Sequence, residues 1–316
     1  MRGRQLLLYV ISASLAISLA MTRPASAITP DVHWHPTFDA ARAQSAQSGK
    51  PILVLGYSPD DRHCETLIIS ILRHPDVVKE LGKFELSAVN ADDPALGQFC
   101  ATFRIGVVDQ TDTWITQFPV LPVFLFLGNN AQEYFRDYGY TSARRGSERS
   151  RDLPIAAAAF ALRLQTIQRL IGGLRQIATD PTATAYAQVG HILIELEHFD
   201  DARPHLQKAV QLDPTNETGA FADAYLDLIV LDIAENPGRA LQQLDDFATR
   251  YGESDRLLEA RYYRGVCLIA LEKYKQARTV LRTFETSDRT APEFDSPWTP
   301  LALGLLQQLD NLKLGL

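Results

Sequence analysis

Cysteine is scarce in this chain: three residues, Cys64, Cys100 and Cys267, among 316. So few cannot staple a small disulfide scaffold, and an odd number leaves at least one thiol free or shared with another molecule. Positive charge is also in deficit, with 31 Lys and Arg against 38 Asp and Glu. That acidic balance argues against nucleic acid or anionic lipid as a partner. Beyond residue 27 there is no apolar run long enough for a helical membrane span, so none is expected once the amino-terminal segment is removed. A phosphate-binding glycine loop, a nucleophile elbow and a zinc-protease helix are all missing. His33, Trp34 and His35 lack a third ligand at suitable spacing and are expected to be a solvated segment, so neither a metal nor a cofactor is expected.

What is present begins with a targeting pattern. Arg2 and Arg4 precede an apolar run from Leu6 to Ala20, and Ala25-Ser26-Ala27 closes it with small residues. This order predicts a secretory signal peptide over 1–27 and an exported, periplasmic location. Loss of its three arginines would take the formal net charge from −7 to −10.

From Trp34 to Tyr140, strand-like runs alternate with helical stretches. Strands are expected over Pro51–Leu55, Phe84–Val89, Val120–Leu127 and Glu133–Tyr138, with helices over Phe38–Gln47, Cys64–Leu81 and Ala95–Phe103. Apolar strands separated by helices predict an α/β domain around a central sheet. A polar loop from Thr141 to Asp152 and a helix from Ile155 to Ala178 follow. Beyond Asp180-Pro181 the pattern is helical throughout, which places a domain boundary there.

The second half repeats. Counted from Ala183, the residues Tyr186, Val189, Gly190, Leu193, Ala202, Leu206, Ala209 and Pro214 take the large, small and helix-stopping positions of a 34-residue tetratricopeptide (TPR) unit. Gly190 and Ala202 lack bulk, so two helices can cross closely there while Leu193 and Leu206 fill the gap. A poorer unit from about Phe221 places Ala240, Leu244 and Phe247 in register. A third, from about Leu258, places Gly265, Leu268, Tyr274, Ala277, Leu281 and Phe284, and a last helix from Pro300 to Leu312 caps the array.

Gly49-Lys50-Pro51, Asp76-Val77, Asn90-Ala91-Asp92, Leu121-Pro122-Val123 and Gly139-Tyr140 mark a resemblance of residues 31–178 to the thioredoxin-like fold. Within that fold the likeness is to exported thiol:disulfide interchange proteins. The fold class expected is therefore an α/β thioredoxin-like domain followed, over 181–316, by an all-α TPR-like helical repeat domain. The resemblance implies a cis-proline at Pro122 beside a substrate groove, and two cysteines at the start of the helix after the first central strand. Here that stretch reads Asp60-Asp61-Arg62-His63-Cys64-Glu65, with Asp61 at the place of the attacking thiol. A carboxylate neither attacks a disulfide nor resolves one, so dithiol turnover is not expected. Asp61 suits a helix N-cap instead.

Two readings of Cys64 stand: a thiol made modestly acidic by the helix start and by Arg62 and His63, or an inert half-buried one. Asp61, Arg62, His63, Leu121 and Pro122 are the candidate binding residues, with Cys64 the single candidate catalytic thiol. A Cys64–Cys100 bond requires two helix faces to meet, and Cys267 reads as a small core residue. The insertion Gly106–Phe118 either covers the groove or is a surface loop. The architecture is similar to that of the chaperedoxins, which implies protein or peptide partners gripped by the repeat concavity and the cis-proline groove. Three functions follow: an adaptor or holdase, a thiol-disulfide oxidoreductase acting through Cys64, or a structural assembly factor of an envelope complex.

Overall fold

The computed structural model describes residues 28, 31–105, 121–138, 153–286 and 288–313. Residues 1–27, expected to be a signal peptide, the Gly106–Phe118 insertion, Gly139-Tyr140 and the segment Thr141–Asp152, expected to be a loop, lie outside the described residues. The chain divides into two compact units, Met1–Ala161 and Leu162–Leu316.

The first unit is built on a five-stranded sheet of order β1-β3-β2-β4-β5. Its strands are β1 (Trp34–His35), β2 (Ile52–Tyr57), β3 (Glu85–Asn90), β4 (Val123–Leu127) and β5 (Glu133–Tyr138). β1 and β2 run parallel to β3, whereas β4 runs antiparallel to both β2 and β5. The alternation of side chains along β2 and β4 makes two apolar layers. On one face, Ile52, Val54, Val123, Leu125 and Leu127 pack with Ala41 of helix α1 (Phe38–Ser48) and Cys100 of helix α4 (Gly97–Thr102). From the other face Phe124 meets Phe160, near the start of the 27-residue helix α5 (Leu153–Thr179), at 5.2 Å between ring centroids.

The helix expected over Cys64–Leu81 is broken into three. Helix α2 (Arg62–Thr66) passes into one π-helical turn, Leu67–Ile71, and α3 (Pro75–Leu81) starts afresh. Pro75 is the physical reason, because its ring drives the preceding residue out of the helical region. His74 accordingly takes φ −68° and ψ 135°. Pro94 acts in the same way and opens a single 3₁₀ turn, Pro94–Leu96, with Asp93 Oδ1 accepting from Ala95 N at 2.9 Å. β4 begins only at Val123, immediately after the cis Leu121–Pro122 bond, since Pro122 has no N–H for the ladder.

Trp34 and His35, though not the exposed His33, correct the expectation of a solvated segment. Trp34 and His35 form β1 and are buried, and His35 Nε2 lies 2.7 Å from Glu85 Oε2 on the adjoining strand. Glu85 also accepts from Ser48 Oγ at 2.8 Å. Burial alone would raise the Glu85 pKa, but these two hydrogen bonds together with the charges of His35 and Lys50 hold the carboxyl below its ordinary value.

The second unit contains three helical hairpins: α6 (Ala183–Glu195) with α7 (Phe199–Leu212), α8 (Ala220–Asp232) with α9 (Pro237–Arg250), and α10 (Leu257–Ala270) with α11 (Tyr274–Leu281). Helix α12 (Trp298–Asn311) follows and packs Ala302, Leu306 and Leu309 against Leu281 and Phe284. No helix among the described residues is long and apolar enough to cross a membrane.

Candidate functional site

Two places answer to the residues singled out by sequence: the start of α2, and the first helices of the hairpins. At the first, β2 delivers the chain to Asp61, the N-cap of α2, whose Oδ1 accepts from Cys64 N at 2.8 Å. The carbonyl of Asp61 then accepts from Glu65 N at 3.0 Å, so one residue closes the first turn with both its side chain and its backbone. Ser58, just before, donates its hydroxyl to Asp92 Oδ2 at 2.5 Å and ties the end of β2 to the turn after β3. Gly56 of β2 is paired with Val123 of β4, which brings the Leu121–Pro122 segment to this same end of the sheet. A Cβ at Gly56 would sit 2.6 Å from Ile105 and 2.7 Å from Val123, so only glycine allows these elements to close here.

Cys64 is completely buried, with no exposed surface, while Arg62 and His63 beside it are exposed. Its thiol pKa is pushed up to about 12, first by burial, against the Ser58 backbone, which favours the ionised form, and then by the charges of Asp61 and Asp92. Of the two readings of Cys64, this supports the inert thiol over the modestly acidic one, with burial complete and not half. The half-positive helix end is outweighed by desolvation and two carboxylates. Cys100 lies in the apolar layer with Ile52 and Val54, a cluster that does not include Cys64, and its pKa is also raised by burial and by Asp93 and Asp92. All three cysteines are free and buried. Leu121 is half-buried against the same layer and Pro122 is buried. The structure thus brings Asp61, Arg62, His63, Cys64, Leu121 and Pro122 to one end of the sheet, but the sulfur is enclosed.

At the second place, the repeat residues meet as helix crossings. A Cβ on Gly190 would lie 2.5 Å from Leu206 Cγ, and one on Gly265 would lie 2.7 Å from Leu281 Cδ2. The first and third hairpins therefore cross through the same contact. They turn alike as well: Glu197 and Glu272 both have positive φ, and the next residues, His198 and Lys273, donate to Leu193 O at 2.9 Å and to Leu268 O at 2.8 Å. Ala202, Ala209, Ala240, Phe247, Ala277 and Phe284 have no exposed surface. α8 has no glycine, and its hairpin is opened differently, by Asn236 capping α9 before Pro237. After α7, Pro214 stops the helix and Asp213 accepts from Glu217 N at 2.7 Å and Thr218 Oγ1 at 2.7 Å.

Sequence reasoning missed a ladder of charges between successive first helices. His191 of α6 contacts Asp227 of α8, and Arg256, N-cap of α10, reaches back to Asp227 and forward to both oxygens of Glu259. Asp227, Arg256 and Glu259 expose only 4%, 14% and 9% of their side chains, so this is an inner network. The one available signal was an ionisable residue at a core-adjacent position of each first helix. Among the described residues no group of histidine, cysteine or carboxylate side chains is arranged to hold a metal ion.

Comparison with known proteins agrees with the second place. Residues 183–216 match the family described as Tetratricopeptide repeat. No curated protein matches the chain. A TPR segment in the second unit and a mixed α/β sheet in the first are what this chain contains, and the former is a module that typically engages other proteins.

Proposed function

We propose that the chain is an exported, periplasmic binding protein, an adaptor or holdase, whose α/β unit is a thioredoxin-like domain retired from dithiol exchange. The sheet order, the departure of α2 from β2 and the cis Leu121–Pro122 bond support the thioredoxin-like reading. The observation that carries the functional reading is the enclosure of Cys64. A thiol with no exposed surface and a pKa pushed up to about 12 is almost entirely protonated near neutrality, so its thiolate cannot attack. Asp61, where a nucleophile would stand, is committed to capping the helix. What remains is the repeat array and the exposed Arg62 and His63 at the end of the sheet to which Pro122 also comes, surfaces suited to an extended protein segment.

Thermal aggregation of a model client, followed by light scattering with and without the mature protein, tests the holdase form. Suppression near stoichiometric ratios is expected, together with no insulin reduction by wild type. Insulin turnover that disappears in Cys64→Ser would instead establish an oxidoreductase. Absence of both activities, with a stable envelope complex recovered on purification, would mark a structural assembly factor.

A further inference from the structure

His191 stands between two carboxylates on different elements. Its Nδ1 is 3.0 Å from Asp227 Oδ2 of α8, and its Nε2 is 3.7 Å from Glu195 Oε1, one turn further along α6. Asp227 is almost wholly enclosed, whereas the His191 side chain is 42% exposed, so water and protons reach the imidazole but not its partner. The remaining charges around it are accounted for. From α10, Arg256 donates to Asp227 Oδ1 at 2.6 Å and to the Asp223 carbonyl at 2.9 Å, and is held by Glu259. From α8, Asp223 adds a further carboxylate near Asp227. From α5, Arg169 pairs with Glu195. α7 also packs on α6, but its Arg203 engages Asp232 and its His205 lies against the ring of Tyr186.

A protonated imidazole carries two N–H donors, and a neutral one carries a single donor and a lone pair. Only the protonated ring can therefore satisfy Asp227 and Glu195 together. In the neutral ring the proton stays with the nearer, enclosed Asp227, and Glu195 faces a lone pair.

We propose that His191 is a proton-gated tie between the first and second hairpins: protonated, it holds α6 to α8 by a charged hydrogen bond to Asp227 and closes on Glu195, and neutral, it keeps only an uncharged hydrogen bond to Asp227 and releases Glu195, and that weaker bond lets the hairpins part more readily. The proposal concerns the stacking of the repeats and does not depend on what they bind. The hydrogen bond to Asp227 raises the His191 pKa above its ordinary 6.5, burial and Arg256 oppose this, and the charges of Asp227 and Glu195 assist it. A raised folded pKa means that the stabilising contribution is complete below the unfolded value and is lost as pH rises through the folded one.

The test uses the whole mature chain. Proton NMR titration of its seven histidines should show one ring titrating above 6.5 that vanishes in His191→Gln. Its midpoint should fall by about one pH unit in Asp227→Asn, equivalent to about a tenfold change in proton affinity. Because Asp227 is enclosed and its replacement risks unfolding the unit, Glu195→Gln, at a more exposed site, is the companion variant and should give a smaller fall. Hydrogen exchange of α6 and α8, corrected for intrinsic rates, should speed up severalfold between about pH 6 and 8 in wild type and stay level in His191→Gln. A His191 midpoint at or below 6.5, a midpoint unmoved by both carboxylate variants, or the same exchange response in His191→Gln would each overturn the proposal.

Discussion

Asp61 serves two ends with one carboxylate, capping α2 through Cys64 N and adding a negative charge beside the Cys64 sulfur. The two can be separated by substitution. Asparagine caps about as well as aspartate but carries no charge, whereas alanine does neither. Asp61→Ala is expected to lower stability by about 1 kcal/mol and Asp61→Asn by less than about 0.5 kcal/mol, read from urea midpoints. Equal losses would mean that the capping bond contributes nothing. Both variants should leave Cys64 slow to alkylate, because burial is the largest cause of its raised pKa and is untouched. Iodoacetamide at about pH 8 is expected to label native Cys64 at least about a hundredfold more slowly than the urea-unfolded chain. Rapid native labelling would contradict the enclosed thiol. The loss of the first cysteine was legible in sequence, because helix starts and motif spacing are local. The enclosure of the second was not, since burial is settled only by tertiary packing, which also brings the Ser58 backbone and the Asp92 charge to it from the ends of two different strands.

At the level of elements, the hairpins depend on where two helices can approach. Gly190 and Gly265 lie at such crossings, whereas Gly172 of α5 has nothing within 4 Å of a Cβ position. Alanine gains about 1 kcal/mol of helix propensity at any helical glycine, while overpacking costs about 1–3 kcal/mol. Gly172→Ala should therefore stabilise by up to about 1 kcal/mol, and Gly190→Ala should destabilise by up to about 2 kcal/mol. Gly265→Ala should fall between them: its Cβ would meet only side-chain atoms of Leu281, whereas that of Gly190 also comes within 3.3 Å of Leu206 N. Denaturant melts rank the three, and any order that puts Gly190→Ala above Gly172→Ala refutes the crossing argument. These positions were readable in advance because the size alternation of a helix crossing is written in the residues themselves. The break between α2 and α3 was equally written, in Pro75, yet the apolar periodicity from Cys64 to Leu81 concealed it. The His191–Asp227–Arg256 ladder was not readable, because its partners are chosen between helices far apart in sequence and only packing brings them together.

For the whole molecule, the purely helical pattern beyond Asp180-Pro181 suggested a boundary after α5, yet the chain divides into compact units between Ala161 and Leu162, inside that helix. The local contacts explain the difference. The first turns of α5 give Phe160 to Phe124 of the sheet. Its later turns belong to the repeats: Arg169 pairs with Glu195, Arg163 donates to Leu196 O at 3.4 Å, and a Cβ on Gly173 would lie 2.6 Å from Val189. Leu164, Ile167, Leu170 and Ile171 of the same stretch are at most 2% exposed. Helical periodicity carries no mark of which neighbour a helix serves, so a single long helix shared between two units reads from sequence as the property of one. A fragment spanning 181–316 therefore removes the helix against which α6 closes, whereas one spanning 153–316 retains it. Burial of even a few aliphatic side chains is worth several kcal/mol, and a domain of this size shifts its Tm by about 2–8 °C per kcal/mol. The shorter fragment is expected to melt at least about 5 °C below the longer one by circular dichroism. It should also bind a hydrophobic dye that the longer one excludes, with Val189 losing its cover first. Coincident melting curves would assign α5 entirely to the sheet and restore the boundary at Asp180-Pro181.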